Sequence, residues 1–359
     1  MNNQLYVKKN SITECYFSND DLPSELKEGQ ILCKVDTVAL TANNVTYAVT
    51  GYMLKYWDFF PTGEADWGIV PVWGFADVIQ SEHDEVPVGQ RLYGYWPMGS
   101  FLVMDPVRIT GAGLRDGAEH RSELNAIYNS YMRVPSALAD QEAYHSLLRP
   151  MFSTSFLLDD YLWESTPSAK TFIVSSASSK TGYGTAFLLN KNKADRGDYE
   201  IVGLTSAGNV DYVKGLGLYD TVLAYDDIAS LPNKDAAAVY ADFSGNAQLR
   251  HDIHHHYQDN MAQDVVIGVT DWTNQGPAKG LPGARAEMFF APSQMQKRQK
   301  EWGTAEFGQR LLADLSAFIE FAADQIDVVN VSGEKEIAEL WSKMVKGKFD
   351  PRTGYILSF

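Results

Sequence analysis

Only two cysteines, Cys15 and Cys33, occur among 359 residues. They cannot make a disulfide framework or a four-thiolate zinc site, and both are expected to behave as small buried hydrophobes. No stretch approaches the about 18 apolar residues of a membrane span. The nearest, 314–329, is interrupted by Asp314, Glu320, Asp324 and Asp327. The opening MNNQLYVKKNSITECYF has no apolar segment of signal-peptide length. Positive charge is also scarce: 30 Lys and Arg against 46 Asp and Glu leave a formal charge of −16. With no basic block, neither nucleic acid nor an anionic membrane is an expected partner. Internal repeats, low-complexity segments, a G-x-S-x-G elbow and a G-x-x-x-x-G-K-[ST] loop are all missing. The expectation is a soluble, cytoplasmic protein.

What is present is ordinary globular composition, 45% hydrophobic, 21% charged and 12% aromatic. Single cores stop growing at roughly 250–300 residues, so two domains are expected. The first 110 residues read as short strands and turns, with β-rich stretches at 31–39 and 70–80 and a Pro/Gly turn entering a strand within 86–95. The polar, Gly-bearing segment 111–125 reads as a surface loop or insertion. From about 136 the texture changes. Helical spacing over 136–163 gives way to strands at 171–177, 199–205, 221–224, 237–242 and 264–269, alternating with helices at 182–191, 208–216 and 246–257. Such alternation with short connections implies a parallel sheet wound by right-handed crossovers. Helices are expected at 309–323 and 334–346, and strands at 326–331 and 355–359.

Several segments then match, in order, a known pattern. VDTVALTANNVTYAVTG (35–51) resembles a strand, catalytic loop and helix ending in Gly. VPVWGFADVIQSEHDEVPVGQRLYGY (70–95) resembles a strand pair ending in a valine-Gly-Asp-arginine-valine turn, with Gln90 in place of the Asp. IVSSASSKTGYGTAF (173–187) falls at the nucleotide loop, GLTSAGNVDYVKGLGLYDTVLAYDD (203–227) at the second strand, helix and tyrosine-acidic strand, and AVYADFSGN (238–246) and DVVIGV (264–269) at the fourth and fifth strands. This ordered set resembles the medium-chain dehydrogenase/reductase superfamily. The resemblance implies an α/β protein with a GroES-like β-barrel catalytic domain (1–135), a Rossmann doubly wound parallel-sheet domain (136–300) and a return to the catalytic domain (301–359). The loop after the strand ending at Ala39 reads Leu40, Thr41, Ala42, Asn43, Asn44, with no Cys for catalytic zinc, and no four-Cys lobe is present. The resemblance is therefore to the zinc-independent, quinone-oxidoreductase-like branch, in a divergent subgroup of unassigned activity.

It implies a nicotinamide cofactor. A dinucleotide pyrophosphate rests on a helix N-terminus where backbone N–H groups converge, so small residues must let the chain approach. G-x-G-x-x-G is replaced here by Ser175, Ser176, Ala177, Ser178, Ser179, Lys180, Thr181, Gly182, Tyr183 and Gly184. Ser and Ala still allow approach, Lys180 adds charge, Thr181 is a candidate helix cap, and Gly182 and Gly184 suit close packing. The alternative is a strand–turn–helix that merely packs. The second strand ends in Thr205, Ser206, Ala207, Gly208 and Asn209, with no acid before Asp211 to hold a ribose 2′-OH, which favours NADP over NAD. Thr205–Asn209 can equally be a helix cap. Lys214 is a distant candidate for the 2′-phosphate, Tyr225 matches the family tyrosine at the adenosine end, and Ser244 and Thr270 follow strands whose C-terminal ends border the cofactor.

Without zinc, hydrogen-bond donors must polarise the substrate oxygen. Asn43 and Asn44 lie in the loop that faces the nicotinamide in relatives, and Tyr47, with Tyr52 and Tyr56 beyond it, is a candidate proton donor; each also has a plain reading as a turn residue or a packed aromatic. His251, His254, His255 and His256 are at metal-ligand spacing but fall on an outer helix and read as a solvent-facing cluster. Arg298 reads as part of a solvated basic face. The expectation is an NADP(H)-dependent, zinc-free reductase acting on a small-molecule quinone, enone or other activated carbonyl, as a homodimer. The alternative is a non-catalytic nucleotide-binding or structural protein that kept the fold.

Overall fold

The computed structural model describes residues 1–267 and 280–359. Its chain divides into two units, Met1–Pro150 with Ile326–Phe359, and Met151–Gln325.

In the first unit, runs rich in β-branched and aromatic residues, several of them buried on both faces, form mostly antiparallel strands. A three-stranded sheet has the order Cys15–Asp20, Asn2–Lys8, Trp67–Ile69. A larger sheet runs Asp327–Ser332, Thr353–Ser358, Ile31–Leu40, Pro71–Ser81, Arg91–Pro97, Ser130–Arg133, Gly113–Asp116, Pro106–Val107. The C-terminal strand lies between its parallel neighbour Asp327–Ser332 and the antiparallel Ile31–Leu40, with Ile356 opposite Ala39. Leu5, Ile31, Val38, Val72, Leu92, Trp96, Tyr131, Trp341 and Leu357 fill the core. Helix Ala42–Val49 follows directly on strand Ile31–Leu40.

Within the segment expected as a polar surface loop, 111–125, Gly113–Asp116 is instead a strand of this sheet, while most of 117–125 lies outside any strand and is largely exposed. Gly113–Asp116 pairs with Ser130–Arg133 and with Pro106–Val107. Arg121 is 1% exposed. Its guanidinium pairs with Asp116 at 3.0 Å, donates to the Phe59 carbonyl at 3.2 Å and the Tyr131 hydroxyl at 2.9 Å, and lies 4.6 Å from the Phe60 ring centre. Buried charge survives only when paired and hydrogen-bonded, and a pairing made by the fold leaves no trace in local polarity.

In the second unit, short buried runs form a six-stranded parallel sheet, ordered Thr221–Ala224, Glu200–Thr205, Thr171–Val174, Ala238–Asp242, Met261–Val266, Ala286–Met288. Helices Lys180–Arg196, Val210–Gly215 and Ala247–Tyr257 connect them. The expected domain limits of 136 and 301 differ from the division seen here. The start of helix Glu142–Ser165 belongs with the first unit, where Glu142 pairs with Arg91 and the Ser146 hydroxyl donates to the Thr37 carbonyl. Helix Thr304–Ala323 belongs with the second, where Phe318 stacks on Phe152 at 4.6 Å and meets Phe187 at 5.3 Å. No helix among the described residues is long and apolar enough to cross a membrane.

Candidate functional site

Two groups of residues are considered, one in each unit. In the second unit, strand Thr171–Val174 runs into the turn 175–179 and then helix Lys180–Arg196. Ser176 adopts a left-handed backbone (φ 48°), and its N–H donates to the Tyr225 hydroxyl at 3.1 Å. The helix cap is Ser179, whose Oγ accepts from the Gly182 N–H at 3.1 Å; Thr181, the expected cap, already lies inside the helix. Ser178 accepts from Asn209 Nδ2 at 3.3 Å, so the second-strand end reaches the turn. A side chain on Gly182 would meet the Ser176 carbonyl at 2.7 Å, and one on Gly184 would meet Ser155 Oγ at 2.9 Å. Gly182 therefore keeps the turn tight, while Gly184 and the fully buried Tyr183 pack the helix. Ser178, Ser179, Lys180 and Thr181 stay half-exposed at the helix start, and Ser206 is exposed. Thr205 is buried, and Lys214 is exposed in the last turn of its short helix.

Ser244 is buried and committed to structure: its hydroxyl donates to Asp242 at 2.8 Å and accepts from the Asn246 N–H at 3.1 Å. Thr270 lies outside the described residues. Asp242, missed in the sequence, is a hub. One of its oxygens accepts from the Ser175 hydroxyl and from the N–H groups of Ser244 and Gly245, while the other pairs with buried Arg250. Arg250 also approaches Asp264 at 3.4 Å, and Asp264 bonds His254 at 3.0 Å. His254 is thus not solvent-facing as expected: it is 1% exposed and bonds the Pro282 carbonyl at 2.7 Å. Burial works to lower its pKa, but the Asp264 hydrogen bond, the Pro282 carbonyl and the Asp264 charge outweigh this and raise it. His251 and His255 do face solvent. Arg298, expected on a solvated face, is buried against Asp160, Glu164 and Glu301. Among the described residues no three His, Cys, Asp or Glu side chains are grouped to hold a metal ion.

In the first unit, helix Ala42–Val49 presents the expected catalytic residues. Asn44 is buried and structural: its amide donates to the Pro71 carbonyl at 2.8 Å and its oxygen accepts from the Thr41 N–H at 2.7 Å. Asn43, one turn below Tyr47, donates to the Tyr47 hydroxyl at 2.7 Å, and Trp73 Nε1 donates to the same oxygen at 3.0 Å. With both lone pairs engaged, the Tyr47 proton is left for a further acceptor. Burial is the main cause of the raised Tyr47 pKa, with Tyr56 adding to it; the two incoming hydrogen bonds oppose it. Tyr47 therefore stays a phenol, able to donate.

Around it stands an aromatic wall that the sequence did not reveal. The Tyr47 ring lies 4.5 Å from Tyr56 and 5.6 Å from Tyr95. Trp73 lies 4.9 Å from Tyr95 and stacks on Tyr93 at 5.9 Å, and Tyr128 lies 4.8 Å from Tyr95. The Tyr56 and Tyr128 hydroxyls bond at 3.0 Å. The buried hydroxyls of Tyr93 and Tyr95 have no hydrogen-bond partner among the described residues. Five separate chain segments supply these rings, and of their residues only Tyr47 and Tyr56 were singled out in the sequence.

A unit of mostly antiparallel sheets and a unit with a six-stranded parallel sheet make up the GroES-like plus Rossmann fold, which solved structures share. CurA from Vibrio vulnificus superposes with a TM-score of 0.64 at 13% identity, covering 100% of this chain and 98% of that one; a CurA complex with NADPH gives 0.63, again at 13% identity, with 99% and 98% covered. The YhdH oxidoreductase from Salmonella enterica in complex with NADP gives 0.54 at 14% identity, covering 100% of both chains. A mutant enoyl thioester reductase from Candida tropicalis gives 0.59 at 10% identity, with 100% and 99% covered. No curated protein sequence matches the chain. Residues 38–350 match the family of proteins of unknown function DUF2855, and the chain belongs to it.

Proposed function

We propose that this chain is an NADP(H)-dependent, zinc-independent reductase of activated carbonyl compounds, in a divergent subgroup of the quinone-oxidoreductase-like branch. The observation that carries the reading is the Tyr47 hydroxyl. It is held by Asn43 and Trp73 with its proton unused, in a fold whose solved neighbours include NADPH and NADP complexes. The turn 175–179 suits a dinucleotide. It is tight, and half-exposed small residues open the start of a long helix where N–H groups and the helix dipole favour a pyrophosphate. Ser178–Thr181 would hold the pyrophosphate, with Ser206 and Asn209 at the 2′-phosphate and Tyr225 bracing the turn through Ser176. NADPH, when bound, supplies the hydride.

The residues of this chain then act on the substrate. The aromatic wall takes its flat conjugated body and excludes water. Tyr47 donates its proton to the substrate oxygen as negative charge develops there, and Asn43 and Trp73, already aimed at that oxygen, stabilise the phenolate left behind. Zinc has no part in this: the segment after the strand Ile31–Leu40 offers Thr41, Ala42, Asn43 and Asn44, without thiolate or imidazole. We also propose a homodimer formed through the edge strand Ala286–Met288, whose Met288 is exposed; light scattering of the pure protein tests it.

The decisive experiment is a titration of the eight tryptophans with NADPH and NADH, followed by turnover of quinones and enones. Tighter NADPH binding, with turnover that Tyr47→Phe lowers about 100-fold at unchanged cofactor affinity, is expected. Binding without turnover would favour the non-catalytic nucleotide binder. Failure to bind either nucleotide would remove the reductase reading.

A further inference from the structure

Helix Ala247–Tyr257 carries four histidines, and the fold sends them to different places. His254 has both ring nitrogens engaged, with Asp264 and with the Pro282 carbonyl. His251 and His255, one helical turn apart, both face solvent, and their rings stack with centres 3.9 Å apart and planes inclined by 26°. Each of these two rings is held by its Nδ1. His255 Nδ1 lies 2.8 Å from the His251 carbonyl, and His251 Nδ1 lies 3.0 Å from an Asp252 carboxylate oxygen. That oxygen also accepts from the Gln248 amide at 2.8 Å. A carbonyl and a carboxylate can only accept, so in each neutral ring Nδ1 carries the proton and Nε2 keeps its lone pair. Imidazole nitrogens suit borderline divalent cations, and an acceptor behind the far nitrogen is the usual support of a metal-binding histidine.

We propose that His251 and His255 form a surface site for a transition-metal dication of the Zn²⁺ or Cu²⁺ class, bound through both Nε2 atoms. Two protein ligands are one fewer than a catalytic zinc site keeps, so water fills the remaining positions. The surroundings favour a cation. His255 lies in the last turn of its helix, at the negative end of the helix dipole. Asp252 places a carboxylate behind His251, and the whole chain carries a formal charge of −16. Hard cations such as Mg²⁺ take oxygen ligands and are rejected by the same pair. The site does not rest on the reductase reading: it belongs to the parallel-sheet unit, supplies nothing to the proton transfer at Tyr47, and stands whether or not a nucleotide binds.

The test is a titration of the whole chain, first treated with a chelator, with Zn²⁺, Cu²⁺ and Mg²⁺, read by calorimetry and by the shift in thermal unfolding. One Zn²⁺ and, more tightly, one Cu²⁺ per chain are expected, each raising the unfolding temperature; Mg²⁺ should do neither. His251→Gln and His255→Gln change exposed side chains and should leave the fold intact. Each should weaken Zn²⁺ on the order of 100-fold, with the double variant little worse than either. Asp252→Ala removes only the support behind His251 and should weaken Zn²⁺ about tenfold. Two imidazoles acting separately would instead lose half of the bound metal in each single variant at unchanged affinity. That result, absence of Zn²⁺ binding, or wild-type binding by the double variant overturns the site. Each of these leaves the reductase standing, just as failure to bind NADPH leaves the metal site standing.

Discussion

The serine-rich turn of the parallel-sheet unit and the aromatic wall of the other unit are both built from polar side chains set among buried ones, yet they treat their hydrogen bonds in opposite ways. In the turn, the hydroxyls of Ser175, Ser179 and Ser244 and the carboxylate of Asp242 are engaged with one another or with backbone N–H groups. In the wall, the Tyr93 and Tyr95 hydroxyls find no partner among the described residues, and the Tyr47 hydroxyl accepts from Asn43 and Trp73. Satisfied polar networks fix a shape, whereas unsatisfied buried groups are tolerated where something else completes them. The turn is a frame that fixes the start of a helix; in the function proposed above, the wall is completed by a ligand.

The contrast can be broken most sharply at Asp242. Asp242→Ala strands Arg250 in the interior and releases the Ser175, Ser244 and Gly245 bonds, so urea unfolding should show a loss of about 3–5 kcal/mol. Next comes the pair of buried histidines, one per unit. His145, its pKa pushed down to about 4 by burial and then by Arg149, takes up no proton in the folded state where the unfolded chain does. Stability should therefore fall as pH drops from about 6.5 toward 4, by up to roughly 3 kcal/mol. His145→Gln should flatten that fall. His254 runs the other way. Its folded pKa is raised, so its contribution is full below about 6.5 and is lost as pH rises through the folded value; His254→Gln should remove the loss. Thermal unfolding of both variants between pH 4 and 8 separates the two signs. Placing Val at Gly184, against Ser155 and Phe318, should cost about 1–3 kcal/mol by overpacking, with nucleotide affinity falling only as far as the helix shifts. The smallest effect belongs to the wall. Tyr95→Phe should leave stability unchanged or raise it by up to about 1 kcal/mol, because the hydroxyl it deletes has no partner; a large loss would mean that the wall is a scaffold after all.

The parallel sheet was legible because each of its first four strands is a short apolar run bounded by turn residues, and Thr221–Ala224 matches its expected range. The strand expected at 264–269 begins three residues earlier, at Met261, since Gln263 and Asp264 interrupt its apolar pattern yet are buried. The same blindness to paired charge hid Arg121, Arg250 and His254: a local pattern can register polarity but not the partner that the fold brings. In the candidate site, the approach of Asn209 to the turn and the one-turn spacing of Asn43 and Tyr47 followed from chain position. The wall did not, because Tyr56, Trp73, Tyr93, Tyr95 and Tyr128 become neighbours only when separate strands and loops assemble.

The position of strand Thr353–Ser358 between Ile31–Leu40 and Asp327–Ser332 also has a bearing on how the chain is made. The unit Met151–Gln325 is continuous in sequence, so its strands do not wait for a distant segment. The other unit must hold Met1–Pro150 without the strand Thr353–Ser358 until that strand is synthesised, and long-range pairings of this kind form slowly. During that interval the exposed edge of Ile31–Leu40 is open to wrong partners, so yield in the cell should depend on translation speed and on chaperones more than the stability of the finished protein would suggest.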